Sequence, residues 1–185
     1  MYQATIERAL RVAYQAHAPQ TRKGSDVPYV LHPIHAALIL SGCNASEDVI
    51  VATLLHDVVE DCEGWDLDRM ETEFGPRVRS IIAEVTEDKD LSWEDRKQAA
   101  IDHVPHLSPE ALLVKGADKL HNLSSLLADL QAADNPEEVW RPFTRGAEQT
   151  LQMSRLLVEA LVPRLEASFG QALLETLEAL EAQAS

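Results

Sequence analysis

The sequence predicts an all-α protein of one domain, and three observations carry that expectation. No stretch sustains the period-two alternation of a half-buried strand, whereas apolar residues recur at helical spacing along the chain. Residues that cap helices stand in front of those apolar runs, at Ser46, Asp66, Ser92, Ser108 and Asn135. The chain has 185 residues, 45% hydrophobic and 25% charged, with no internal repeat, low-complexity segment or interdomain linker. That length and balance suit one buried core. The domain is expected to span residues 1–185, with a core over about 1–168 and a C-terminal helix over 169–185.

The elements follow in order. In "MYQATIERALRVAYQAH", Ile6, Leu10, Ala13, Tyr14 and His17 share one helix face. "APQTRKGSDVPY" is polar, with Gly24 and two prolines, and reads as a loop. A second helix starts near "PYVLHPIHAALIL" and ends by Gly42. Ser46 caps a third, with Asp48 in its first turn, and this helix runs on into "LLHDVVEDC". Asp66 caps a short helix that stops at Gly75, and Pro76 opens the next, as a first-turn proline can. "SWED" at 92–95 has the spacing of a capping box. "SPEAL" and "NPEEV" each place a capping residue before a first-turn proline. The last helix, "QALLETLEALEAQAS", is either a docked tail or part of a self-association face that would give a homodimer.

Charge and cysteine content exclude several classes. A net charge of −15 repels nucleic acid and acidic membrane surfaces alike. Cys43 and Cys62 are too few for a disulfide framework and fit a reducing cytoplasm. The amphipathic N-terminus lacks the apolar run of a signal peptide. No uncharged apolar stretch approaches the ~20 residues of a membrane helix.

"LLHDVVED" is the segment that demands chemistry. Leu54, Leu55, Val58 and Val59 form a packing stripe, yet His56, Asp57, Glu60 and Asp61 crowd beside it. In a continuous helix His56 and Asp57 lie about 100° apart, and Glu60 and Asp61 stack one turn beyond them. A His-Asp pair alone is an ordinary coincidence in a chain with 7 histidines. Two further segments add to it. "PYVLHP" puts His32 near a helix start, and "VKGADKLHNL" puts Asp118 within an apolar helix. A buried aspartate is costly unless paired or metal-bound. His32, His56, Asp57 and Asp118 offer two imidazoles and two carboxylates, a set suited to a divalent transition ion with positions left for water. A closed structural zinc site would favour thiolates.

The order H…HD…D resembles the HD-domain metal phosphohydrolases. "RKGSDVPYVLHP", "LLHDVVED", "FGPRVRSIIAEVTEDK", "RK" and "VKGADKLHNL" narrow the resemblance to the hydrolase half of the RelA/SpoT stringent-response proteins and to the stand-alone small alarmone hydrolases. It covers roughly residues 1–130. It implies an HD-type helical bundle, and one manganese ion held by His32, His56, Asp57 and Asp118. Glu60 and Asp61 would be the catalytic pair. Arg22 would stack on the guanine, Lys23 would lie beside the phosphates, and Asn122 would line the nucleoside pocket. The implied reaction removes the 3′-diphosphate of guanosine tetra- or pentaphosphate, giving GDP or GTP and pyrophosphate.

An acidic protein must meet such a substrate with concentrated cations. Lys89, Arg96 and Lys97, and Lys115 and Lys119, cluster around the motif segments. The remaining histidines, at 17, 35, 103, 106 and 121, read as structural or surface residues. The chain departs from the long stringent factors at Ser124, where they carry an arginine, and in having no aromatic beyond Phe143 in "RPFTRGAEQTLQMSR". Arg141 or Arg145 would compensate. Those departures leave open an adenine alarmone or the 2′-phosphate of NADPH as substrate; a nucleotide sensor without catalysis is a separate alternative, against which the Glu60–Asp61 pair argues.

Overall fold

The computed structural model describes residues 3–184, and Met1, Tyr2 and Ser185, which belong to the first and last expected helices, lie outside them. Among the described residues the regular structure is helical: α1 Ala4–Ala16, α2 Leu31–Gly42, α3 Glu47–Leu55, α4 Val58–Asp61, α5 Leu67–Phe74 and α6 Pro76–Val85. These are followed by α7 Trp93–His103, α8 Pro109–Ala132, α9 Pro136–Trp140, α10 Gly146–Leu161 and α11 Ala167–Ala184. The expected caps form. Asp66 accepts the amide of Arg69 at 2.7 Å, Ser92 that of Asp95 at 3.1 Å, Ser108 that of Ala111 at 3.2 Å and Asn135 that of Glu137 at 3.0 Å. Each satisfies an amide that the first turn leaves without a helical partner.

α3 is the centre of the larger core. Every residue from Val49 to Leu55 is buried, so the helix needs no polar face. α1, α2, α6 and α8 pack around it. α1 closes on it through Ala9 and Ala13, both fully buried. Tyr14, expected on that face, is 67% exposed. At about 100° per residue it stands about 140° around the helix from Ala9, at the edge of the buried stripe.

The sequence suggests that α3 runs unbroken through His56 and Asp57. The structure interrupts it there, although both residues keep right-handed helical dihedrals. The cause is local. His56 Nδ1 donates to the carbonyl of Thr53 at 2.8 Å, the acceptor that a regular helix would offer to the Asp57 amide.

α8 has 24 residues and is about 36 Å long, enough to span two apolar clusters. Its first half joins the main core through Ala111, Leu112, Val114 and Ala117. Its second half meets α10 and α11 through Leu123 and Leu130, with Val158, Leu173, Leu177 and Leu180. α11 is therefore docked along α8, and Leu173, Leu177 and Leu180 are fully buried. No helix among the described residues is long and apolar enough to cross a membrane.

Candidate active site

α2, the α3–α4 junction and α8 bring one ligand atom each of His32, His56 and Asp118 within 4.8 Å of one another, and Asp57 stands beside the two imidazoles. His32 Nε2 lies 3.2 Å from Asp118 Oδ1 and 3.6 Å from Asp57 Oδ2. His56 Nε2 lies 3.2 Å from Asp57 Oδ2 and 3.9 Å from Asp118 Oδ1. Ligands on adjacent vertices of an octahedron with bonds near 2.1 Å stand about 3 Å apart, so the spacing suits a small divalent ion.

Neighbouring groups constrain which nitrogen faces the cluster. His56 commits Nδ1 to Thr53, leaving Nε2 buried with no hydrogen-bond partner. His32 Nδ1 lies 2.8 Å from His121 Nδ1. Burial, then the positive fields of His32, Arg22 and His35, hold the His121 pKa down to about 4. His121 is thus neutral near pH 7 and able to accept at Nδ1; an ion on His32 Nε2 would require His32 Nδ1 to carry the proton and donate it to His121. Tyr29 Oη donates to Asp57 Oδ2 at 2.8 Å. Asn122 Nδ2 donates to Asp118 Oδ1 at 2.6 Å. Burial opposes charge on the His56 ring, but Asp57 and Asp118 outweigh it and raise its pKa to about 9. Two carboxylates and a buried, partnerless imidazole nitrogen fit a divalent cation, which would displace that proton.

Glu60 and Asp61 follow on α4. Glu60 lies in the same cavity as His56, Asp57 and Asp118. Its Oε2 accepts the amide of Glu87 at 3.1 Å. Burial, reinforced by Glu87, Asp57 and Asp61, raises its carboxyl pKa above the ordinary value despite that bond. Asp61 pairs with Lys89, whose ammonium also lies 3.9 Å from Glu60.

A second cavity, of about 220 Å3, adjoins this one. Glu87, Lys97, Lys115, Asp118 and Asn122 line both. Lys23, Lys119, Arg145, Trp93 and Phe143 line the second alone. Lys119 donates to Ser154 Oγ at 2.9 Å. The Lys23 ammonium lies 4.4 Å from the Phe143 ring centroid.

Lys23 comes from a hairpin-like loop. The Arg22 amide donates to Val27 O at 2.7 Å and that of Tyr29 to Gln20 O at 3.0 Å. Gln20 in turn donates to Asp61 O at 2.9 Å. Gly24, at φ +76°, passes so close to Pro142 that an added Cβ would stand 2.7 Å from the ring.

The remaining expected residues divide. Arg22 lines neither cavity; it donates to Asn122 Oδ1 at 2.7 Å and sits over the Tyr29 ring. Arg96 lies behind Glu87, at 3.9 Å, on a separate cavity. Arg145 reaches the second cavity while paired with Glu94 at 2.8 Å. Arg141 is 76% exposed beside Glu138 and lines neither cavity, and Ser124 is likewise exposed. Tyr29 and Glu87 are not among the residues expected from the sequence, and His121 is expected there only as a structural or surface residue. The position of His121 between Asp118 and Asn122 was the one available signal.

The profile of the HD domain family matches residues 9–148. The chain belongs to the HD-domain family. This HD-domain protein is similar to guanosine-3′,5′-bis(diphosphate) 3′-pyrophosphohydrolase MESH1 of Homo sapiens, at 44% identity over 126 residues, 66% of this chain and 70% of that one. The bifunctional (p)ppGpp synthase/hydrolase SpoT of Escherichia coli is 32% identical over 127 residues, 65% of this chain but 18% of SpoT. A solved structure of a metazoan ortholog of SpoT, described as hydrolysing ppGpp, superposes with a TM-score of 0.81 at 33% identity over 96% of each chain.

Proposed function

We propose that this HD-domain protein is a metal-dependent 3′-pyrophosphohydrolase of guanosine 3′,5′-bis(diphosphate) and its pentaphosphate relative, yielding GDP or GTP and pyrophosphate. The observation that carries the reading is the junction of the two cavities. There a two-histidine, two-carboxylate cluster meets Lys97 and Lys115. The 44%-identical relative named for this activity supports it.

Manganese is the ion we assign to His32, His56, Asp57 and Asp118. When bound, such an ion lowers the pKa of a coordinated water and offsets phosphoryl charge. Glu60 is the residue placed to accept the proton of the attacking water, because burial keeps its carboxylate basic. Asp61 holds Lys89 beside Glu60. Lys97 and Lys115 meet the diphosphate that leaves, and Lys23 and Lys119 meet the rest of the nucleotide. Trp93 and Phe143 supply apolar and ring surface for the base. Arg22 acts at the edge of the metal centre through Asn122 in this arrangement.

The test is incubation of the pure protein with guanosine tetraphosphate and manganese, with products resolved by chromatography. GDP and pyrophosphate in equal amounts are expected, and none with excess chelator. Release of orthophosphate instead would assign a different phosphate ester. Binding without product would make the protein a sensor. Asp118→Asn should lose both stoichiometric manganese and turnover.

A further inference from the structure

Glu87 is a carboxylate in a place built for anions. It follows α6, its side chain is 13% exposed, and it lines both cavities. Lys97 Nζ donates to both of its oxygens, at 2.8 and 2.9 Å. Lys115 Nζ lies 3.8 Å away, itself 11% exposed, and Arg96 lies 3.9 Å away on the far side. One acid thus holds three cations together that would otherwise repel one another at short range.

The same two lysines border both cavities, so a diphosphate bound there must share them with Glu87 or take them from it. Attraction that treats substrate and product diphosphates alike lowers KM without raising kcat, and it delays the product. A fixed negative charge beside the lysines subtracts from that attraction. Meanwhile the main-chain amide of Glu87 holds Glu60 at 3.1 Å. Altering the side chain leaves that bond available.

We propose that Glu87 is a resident counter-ion. It is a fixed negative charge, paired with Lys97 and beside Lys115, that weakens their hold on pyrophosphate so that the product leaves. The inference rests on the reading of this cleft as a diphosphate site.

Titration calorimetry of the manganese-loaded full chain with inorganic pyrophosphate tests it, alongside steady-state kinetics on guanosine tetraphosphate. Glu87→Gln should bind pyrophosphate about tenfold more tightly, since a unit charge a few ångströms away is removed. KM and kcat should both fall. Glu87→Ser, also neutral, should shift pyrophosphate affinity the same way, and either variant decides the matter if the other does not fold. Glu87→Asp, which restores the charge, should return affinity towards wild type. A merely structural role would weaken binding and raise KM, and that result overturns the proposal, as does unchanged affinity. Tighter pyrophosphate with unchanged kcat overturns the role in release. Wild-type protein that releases no pyrophosphate would refute the functional reading, while the calorimetry would still decide whether Glu87 opposes anion binding.

Discussion

Glu60 stands one turn past Asp57, a proposed metal ligand, in a setting that raises its pKa chiefly through burial. A base must be deprotonated to act, so kcat/KM should rise with pH through a limb above the ordinary glutamate value of about 4.3. Activity is lost as pH falls through that limb. Glu60→Gln should retain manganese and nucleotide but lose about 10²–10⁴-fold in kcat. Manganese content, nucleotide affinity and a pH–rate profile check all three points; weakened nucleotide binding at unchanged kcat would remove Glu60 from the chemistry. His121 acts one step further back, through His32 Nδ1 at 2.8 Å. His121→Phe fills similar space without an acceptor and should weaken manganese binding by about 10–100-fold, the usual range for a group that orients a ligand. Calorimetric titration of the metal-free protein gives that number. The four proposed ligands stand out in the sequence because each is an ionisable group in an apolar helical context. Tyr29 and His121 do not, because each meets a partner far away in sequence, and Glu87 does not, because its lysine partner ten positions on is not at helical spacing. Glu87 is also one acid among 31 acidic residues, so composition hides it.

At the scale of elements, α8 carries Lys115, Asp118, Lys119, His121 and Asn122 on a single helix. Its start is held twice. Ser108 Oγ accepts from Ala111 N and donates to Glu84 Oε1 at 3.0 Å, while the Ser108 amide donates to Glu84 Oε2 at 2.6 Å. Ser108→Ala removes the cap and should destabilise by about 1 kcal/mol, a fall of about 2–4 °C in Tm for a chain this size. A thermal melt measures it, and an unchanged Tm would show that Glu84 and solvent suffice. The caps at 46, 66, 92, 108 and 135 were legible because capping is a local bond between residues two or three apart. The lapse between α3 and α4 was not. It arises when the His56 side chain takes a main-chain acceptor, and hydrophobic periodicity carries no trace of such a bond.

Across the whole molecule, the proposed metal site joins α2, the α3–α4 junction and α8, three parts of the chain that pack on one another through the main core. An unfolded chain does not hold these ligands together, so metal binding should add to stability. At 100 times its Kd an ion contributes about 2.7 kcal/mol, a rise of roughly 5–11 °C in Tm. Chelator should reverse the shift, and Asp118→Asn should show none. The all-helical architecture was legible in the spacing of apolar residues. The docking of α11 along α8 was not, because its apolar stripe would suit a second copy of the chain equally well. Only the folded arrangement shows Leu173, Leu177 and Leu180 already covered.

Gly24 ties these scales together. Its φ of +76° disfavours a side chain by about 1–2 kcal/mol, and Pro142 fills the space where a Cβ would sit. The two residues belong to segments more than a hundred positions apart, yet neither can change without regard to the other. In a library randomised at both positions and selected for turnover, alanine at 24 should survive only beside a smaller residue at 142, and even then with reduced fitness from the backbone strain. Glycine at 24 should accept many partners. The contact between the loop and Pro142 would thus leave its mark as a one-sided correlation between two distant columns of sequence.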